Sequence, residues 1–326
     1  MCSTSSPVSF AVPNTVRPAE PSGDEFALIE RYFAGLDRGD AVVLGNGDDA
    51  AVLALQAGEQ LVVSADTMLE NVHFPAAAPA DRVAYRAVAA ALSDLAAMGA
   101  RPLGATLALT LPSAEAPWLD ACRRGLAAAV ADFSMPLVGG DLTRGPLSLA
   151  VQVMGAAPAG TALCRGGARV GDALWVSGSL GDAAAGLAVE RGELVLGDAR
   201  AAALRGAFWR PAPALALGQK LRDWATACID VSDGLLADAG HLARASGVRI
   251  DIEADALPLS AALRETVDTA RAVDWALSGG DDYVLCFSLP AGDDAPAGCT
   301  RIGAVSAGRG VHCDREPAAP GYRHFV

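Results

Sequence analysis

Leu92-Ser93-Asp94-Leu95-Ala96-Ala97-Met98-Gly99-Ala100 is the stretch whose reading settles the architecture. It closes a predicted helix, Arg82 to Met98, which Asp81 can cap at its start and Gly99 stops at its end. Asp94 has Ala90, Ala91, Ala97 and Met98 as neighbours one turn away, so its carboxylate projects from a face that otherwise reads as core. A carboxylate so placed is either a satisfied buried acceptor or a ligand, and the helix alone leaves both open. Upstream, Leu61-Val62-Val63-Ser64-Ala65 reads as a buried strand delivering Asp66 at its end. Downstream, Arg101-Pro102 leads into a strand, Gly104 to Leu111, and Pro117 opens a helix to about Phe133. Leu137-Val138 is a short strand ending in Gly139-Gly140-Asp141, and Leu147 to Met154 is another. Strands and helices alternate through this half, which predicts an α/β, or layered α+β, architecture.

Farther out, Asn46-Gly47-Asp48-Asp49-Ala50-Ala51-Val52 sets two adjacent carboxylates after a glycine and before an apolar segment. Burying an unpaired carboxylate is costly, so this turn is either a solvated loop or the rim of a metal site. Phe26 to Leu36 has helical periodicity with Asp24 as N-cap. Residues 1–22 lack the basic start and apolar core of a secretory signal and are expected to form a disordered leader of a cytoplasmic protein. The composition shifts to small residues at Ala156-Ala157-Pro158-Ala159-Gly160, which predicts a boundary between an N-terminal domain, 23–158, and a C-terminal α/β domain, 159–326. The second half reads as a strand at Ala173 to Val176 and a turn, Ser177-Gly178-Ser179-Leu180-Gly181-Asp182, that opens an alanine-rich helix. Helices follow at about Asp198–Ala207 and Pro213–Ala225. A strand at Cys228–Val231 runs through Ser232-Asp233-Gly234 into a helix, and then come a strand at Val248–Ile252, a helix at Ala261–Ala272 and a strand at Tyr283–Leu289. From Arg301 onward the alternation is weak and turn residues are frequent.

Composition narrows the function. The formal net charge of −13 over 326 residues disfavours nucleic acid, whose binding relies on a basic surface. No run is long and apolar enough to span a bilayer. Lys220 is the single lysine, and no G-x-x-x-x-G-K-[ST] loop is present, so phosphate binding through a lysine is excluded as the organising device. The seven cysteines are dispersed without a C-x-x-C pair, as expected in a reducing compartment, and four histidines without an H-E-x-x-H arrangement argue against a zinc enzyme.

Aspartate recurs instead. Gly47-Asp48-Asp49, Ser64-Ala65-Asp66-Thr67, Ser93-Asp94, Gly139-Gly140-Asp141 and Asp230-Val231-Ser232-Asp233-Gly234 each set it beside glycine or serine, at a strand end or within an apolar helix. Five such segments in a chain with one lysine point to hard cations with oxygen ligands, and Mg²⁺ is the natural choice beside phosphate. Gly139-Gly140 and the 177–182 turn could admit a phosphate, or simply cap helices. Arg165 is either a phosphate partner or a solvated surface residue, and His73 either a ligand contact or a structural histidine.

In order, Gly-Asp-Asp-Ala-Ala-Val (47–52), Asp-Thr-Met-Leu-Glu-Asn-Val-His-Phe (66–74), Leu-Ser-Asp-Leu-Ala-Ala-Met-Gly-Ala (92–100), Gly-Gly-Asp-Leu-Thr (139–143), Ser-Gly-Ser-Leu-Gly-Asp-Ala-Ala-Ala-Gly-Leu (177–187), Ile-Asp-Val-Ser-Asp-Gly-Leu (229–235) and Gly-Gly-Asp-Asp-Tyr (279–283) resemble the thiamine-monophosphate kinase family. The resemblance implies a two-domain fold like that of aminoimidazole ribonucleotide synthetase, with N-terminal sheets pairing in a homodimer and ATP between the domains. It implies phosphorylation of thiamine monophosphate to thiamine diphosphate by ATP. Carried over by motif, Asp48, Ser64, Asp66, Asp94, Asp141, Asp230 and Asp233 would hold several Mg²⁺ ions. Gly140, Asp141, Arg165 and Ser232 would lie at the nucleotide, and His73, Asp281 and Tyr322 at the thiamine phosphate.

The chain departs from the family pattern at three places: Ala65 stands for threonine, Asp281 for glutamate, and Tyr322 lies where tryptophan often serves. Two other enzymes of the superfamily are alternatives. A selenophosphate synthetase would carry a reactive cysteine or selenocysteine in an N-terminal glycine-rich loop, whereas Cys2 lies in the leader. A hydrogenase-maturation dehydratase would end in an acceptor cysteine, whereas this sequence ends His324-Phe325-Val326. A non-catalytic nucleotide- or metal-binding module is the alternative from another class.

Overall fold

The computed structural model describes residues 25–315 and 317; the expected leader, the Asp24 cap and Tyr322 lie outside them. The chain begins with helix α1 (Glu25–Phe33) and a small antiparallel pair, β1 (Val42–Leu44) and β2 (Val52–Leu53). It continues through β3 (Glu59–Leu69), α2 (Ala80–Ala97), β4 (Arg101–Leu111), α3 (Ala116–Phe133), β5 (Leu137–Arg144) and β6 (Ser148–Pro158). The second half comprises β7 (Ala173–Val176), α4 (Asp182–Glu190), α5 (Asp198–Trp209), α6 (Leu215–Leu221), β8 (Ala227–Asp230), α7 (Leu235–Ser246) and β9 (Arg249–Ile252). Then follow α8 (Ala261–Arg264), α9 (Thr269–Ser278), β10 (Leu285–Leu289), β11 (Thr300–Ser306) and β12 (Gly310–Cys313).

Two sheets result. The first has the order β3-β6-β4-β5, antiparallel except for the β4–β5 pair. The second has the order β12-β9-β11-β7-β10-β8, antiparallel except at its β12–β9 edge. This is the mixed α/β arrangement that the alternation predicted. Along β3, Ser64, Asp66 and Met68 turn toward the helices while Leu61, Val63, Ala65, Thr67 and Leu69 face outward and exposed.

Helix α2 is shared by both halves. Its residues are almost all buried, as its run of alanine, valine and leucine requires, with Arg86 enclosed among them. One side lies on β3, β6 and α3, and the other meets α6 and β8. Alanine and glycine make that second contact possible. A Cβ at Gly218 of α6 would stand 2.0 Å from the Ala96 carbonyl oxygen, so only glycine lets the two backbones approach this closely. Ala96 is fully buried here.

Several expected boundaries move. Asp81 does not cap α2; Pro79 occupies the N-cap and Asp81 lies in the first turn. Asp66 is interior to β3 rather than at its end, and Gly139-Gly140-Asp141 is interior to β5, because pairing with β6 and β4 extends both strands. The helix expected at 261–272 breaks after Arg264, and the Asp268 side chain caps a new one by accepting from the Arg271 N–H. β10 starts at Leu285, since Gly280, Asp281 and Tyr283 all take left-handed backbone conformations, φ +69°, +63° and +51°.

Candidate active site

The end of α2 and the adjoining strand bring the first ligand candidates together. Ser64 Oγ donates to Asp94 Oδ2 at 2.5 Å, joining β3 to α2. Asp66 accepts the N–H of Thr67 at 2.8 Å, and burial nevertheless raises its pKa, helped by the charge of Asp94. From the second half, β8 delivers Asp230, which is 5% exposed. Its pKa is pushed up to about 6, first by burial and then by Asp94. Asp233 follows on the loop into α7, whose N–H groups at Ser232 and Asp233 both donate to Asp238 Oδ2 at 3.0 Å.

The aspartates at 66, 94, 230 and 233 line one cavity of about 690 Å³ between the two halves, whereas Ser64 and Asp238 stand behind it, bonded to Asp94 and to the 232–233 loop. Asp66, Asp94, Asp230, Ser232 and Asp233 form its acidic side, and His73, Phe74, Asp281 and Tyr283 line another part. His73 Nδ1 accepts the Leu69 N–H at 2.9 Å, which leaves Nε2 as the protonated nitrogen of the neutral ring.

Not all the expected residues meet there. Asp48, Gly140 and Asp141 line a second cavity of about 600 Å³, with Phe26, Ile29, Phe33 and Leu107 among its apolar walls. Gly140 has φ +153°, and a Cβ there would stand 2.0 Å from the Leu107 carbonyl oxygen, so the strand admits only glycine. Arg165 lines neither cavity, although its charge lowers the pKa of Asp230. The anion at the helix start 177–182 is internal. The half-buried Asp282 carboxylate accepts the Gly181 N–H at 2.9 and 3.0 Å, and desolvation raises its pKa despite that donor.

Four aspartates on the acidic side of one cavity, Asp66 and Asp230 among them with raised pKa values, offer oxygen ligands of the kind a hard divalent cation takes. Among the described residues no three His, Cys, Asp or Glu side chains come close enough together to hold a metal ion by themselves. Ligand oxygens and water would therefore have to complete a coordination sphere, the usual situation for Mg²⁺.

Two residues were missed in the sequence. Asp238, in the first turn of α7, holds the 232–233 loop, and its pKa is pushed up to about 7 by burial and by Asp230 and Asp233. Its place five residues after Asp233 was the available signal. Arg86 lines the cavity and is 1% exposed, with Nη2 2.6 Å from Asp281 Oδ1. An arginine with Val83, Ala89 and Ala90 one turn away, on the helix face that also carries Asp94, was the signal there.

Two domains, each an α/β layer closed around its own sheet, with an acidic cavity between them, define a class. Residues 47–157 match the family model AIR synthase related protein, N-terminal domain, and residues 169–312 match AIR synthase related protein, C-terminal domain. The thiamine-monophosphate kinase of Salmonella typhimurium is 49% identical over 270 residues, 82% of each chain. The crystal structure of thiamine-monophosphate kinase from Stenotrophomonas maltophilia K279a matches at TM-score 0.81 and 48% identity, covering 90% of this chain and 98% of that one. AaThiL complexed with AMPPCP and TMP matches at TM-score 0.78 and 30% identity, covering 92% and 96%. The chain belongs to the thiamine-monophosphate kinase family.

Proposed function

We propose that this protein transfers the γ-phosphoryl group of ATP to thiamine monophosphate, giving ADP and thiamine diphosphate. The observation that carries the reading is the single cavity in which Asp66 and Asp94 of one domain face Asp230 and Asp233 of the other, in a chain of this family. A bond forms between an oxygen of the thiamine phosphate and the γ-phosphorus as the bridging bond to the β-phosphate breaks. The acceptor oxygen is already anionic, so no general base is needed, and the task is to bring two polyanions together in line. Mg²⁺ bound there would supply charge neutralisation and alignment of the phosphates.

Asp66, Asp94, Asp230 and Asp233 would hold it at this cavity, with Ser64 behind Asp94 as a further ligand, and Asp48 and Asp141 would hold further ions at the second one. Gly140, Asp141, Arg165 and Ser232 would contact the nucleotide. His73 and Asp281, with Tyr322, would face the thiamine phosphate. Asp238 fixes the backbone of the loop carrying Ser232 and Asp233.

Residues 23–158 form the N-terminal domain and 159–326 the C-terminal one in this reading. The exposed apolar row Leu61, Val63 and Leu69 on the edge strand β3 is where a second copy would pair in a homodimer. Six free cysteines among the described residues suit a cytoplasmic enzyme. Incubating the purified protein with ATP, Mg²⁺ and thiamine monophosphate tests the reaction: thiamine diphosphate is the expected product, and its absence under saturating conditions overturns the reading. Excess EDTA is expected to abolish turnover while the far-UV circular dichroism spectrum stays unchanged; full activity after verified metal removal contradicts the metal assignment.

A further inference from the structure

We infer that Arg86 is a positioning residue of the substrate pocket, holding the Asp281 carboxylate and its turn in the orientation that faces the thiamine moiety. The inference rests on the reading of Asp281 as a contact for thiamine monophosphate.

Arg86 lies two turns before Asp94 on α2, with Ala90 between them on the same face. Its guanidinium joins three elements. Nη2 pairs with Asp281 Oδ1 at 2.6 Å, Nη1 donates to the carbonyl oxygen of Phe208 at the end of α5, and the group stacks 4.0 Å over the Phe208 ring. Tyr283 closes the arrangement: its hydroxyl donates to the same Asp281 Oδ1 at 3.2 Å, and its ring centroid lies 5.7 Å from the guanidinium. Arg86 Nε is buried among the described residues without a hydrogen-bond partner.

This arrangement is poorly explained by stability. A buried guanidinium with one carboxylate and an orphaned donor is a weak stabiliser, and an apolar side chain of similar volume serves a core as well. The asymmetry of exposure is more telling. The Asp281 side chain is 32% exposed toward the cavity while that of Arg86 is 1%, so the carboxylate has a wet face for a ligand and a dry face for the arginine. Arginine suits this role because its planar fork fixes a carboxylate in direction as well as distance.

The pair also governs the turn. Gly280, Asp281 and Tyr283 all have positive φ, a conformation that aspartate and tyrosine seldom adopt without support. The Asp281 N–H donates to the Ser232 carbonyl and the Tyr283 N–H to the Val231 carbonyl, both at 2.8 Å. Through these bonds the Arg86–Asp281 contact sets the substrate wall relative to both α2 and the loop that carries Asp233.

A double-mutant cycle in the full-length protein tests the inference. Arg86→Met is expected to raise both KM and the calorimetric Kd for thiamine monophosphate, the latter measured without ATP, by about tenfold or more, as when the group behind a ligand-binding side chain is removed. The KM for ATP is expected to hold, and Arg86→Lys to recover part of the loss. Asp281→Asn should weaken the substrate similarly, and the double variant should be no worse than the weaker single one, since both changes remove one interaction. A lowered Tm with unchanged thiamine-monophosphate constants in Arg86→Met, or losses that add in the double variant, overturns the inference. Should Arg86→Met fail to fold, the cycle of Arg86→Lys with Asp281→Asn is judged by the same criteria. A parent protein that makes no thiamine diphosphate overturns the proposed reaction and this inference together, whereas unaltered constants in variants of an active parent overturn this inference alone.

Discussion

At the scale of single residues, Asp238 and Asp230 carry the clearest consequence of burial. Their pKa values, about 7 and about 6, lie above the ordinary carboxylate value, so the folded chain binds more protons than the unfolded one between pH ~4 and ~7. Stability of the ligand-free protein is therefore highest at the acidic side of that window and falls as pH rises through it. Asp238→Asn keeps an oxygen to accept the Ser232 and Asp233 N–H groups but cannot ionise, so it should flatten the profile and stabilise the protein at pH 8. Urea midpoints from pH 5 to 8 check this, and an unchanged slope would mean that Asp238 titrates normally. Asp66→Asn and Asp94→Asn, by contrast, remove a charge from the proposed metal side and should lower kcat severely with secondary structure intact. Stopped-time assays beside circular dichroism distinguish this from unfolding. Asp94 was legible in the sequence because a charge among alanines at helical spacing must have a partner or a ligand. Arg86 obeys the same rule, but its partner Asp281 is distant in the chain, and nothing local points to the pairing.

At the scale of elements, close approach decides what substitutions do. Gly218→Ala drives a methyl group into the Ala96 carbonyl and should cost about 1–3 kcal/mol, as overpacking does. Gly206→Ala on α5 meets open space and should stabilise its helix by up to ~1 kcal/mol. Thermal melts of the two variants should shift in opposite directions; parallel shifts would refute the packing argument. The long helices α2 and α3 and the strand β4 between them were readable because each satisfies its own periodicity. Strands β11 and β12 were not, since their pairing with β7 and β9 comes from residues far along the chain and their own alternation is weak. The break between α8 and α9 did have a local mark, the Asp268 cap with Thr266 and Val267 before it, which the apolar spacing of 261–272 concealed. The separation of Asp48 and Asp141 from the other aspartates was illegible for a different reason: motif order records which residues are present, not which cavity they face.

At the scale of the molecule, the first sheet leaves one face of β3 bare, and Leu61→Lys with Val63→Lys should convert the proposed dimer into a monomer by charge repulsion and lost apolar burial. Sedimentation velocity reads this directly, and an unaltered sedimentation coefficient places the contact elsewhere. The shared position of α2 has a further consequence. A helix that serves as a wall of both cores cannot loosen on one side without exposing the other, so its amides should open to deuterium only when the whole chain unfolds. Neither half should then survive alone: a fragment ending at Pro158 would present the Ala96–Ala97 surface to water, and a fragment beginning after it would lose the lid over β8 and α6. Gene fusions or permutations that open the chain between the two sheets must keep α2 seated, and those that do not should yield aggregates rather than separate domains.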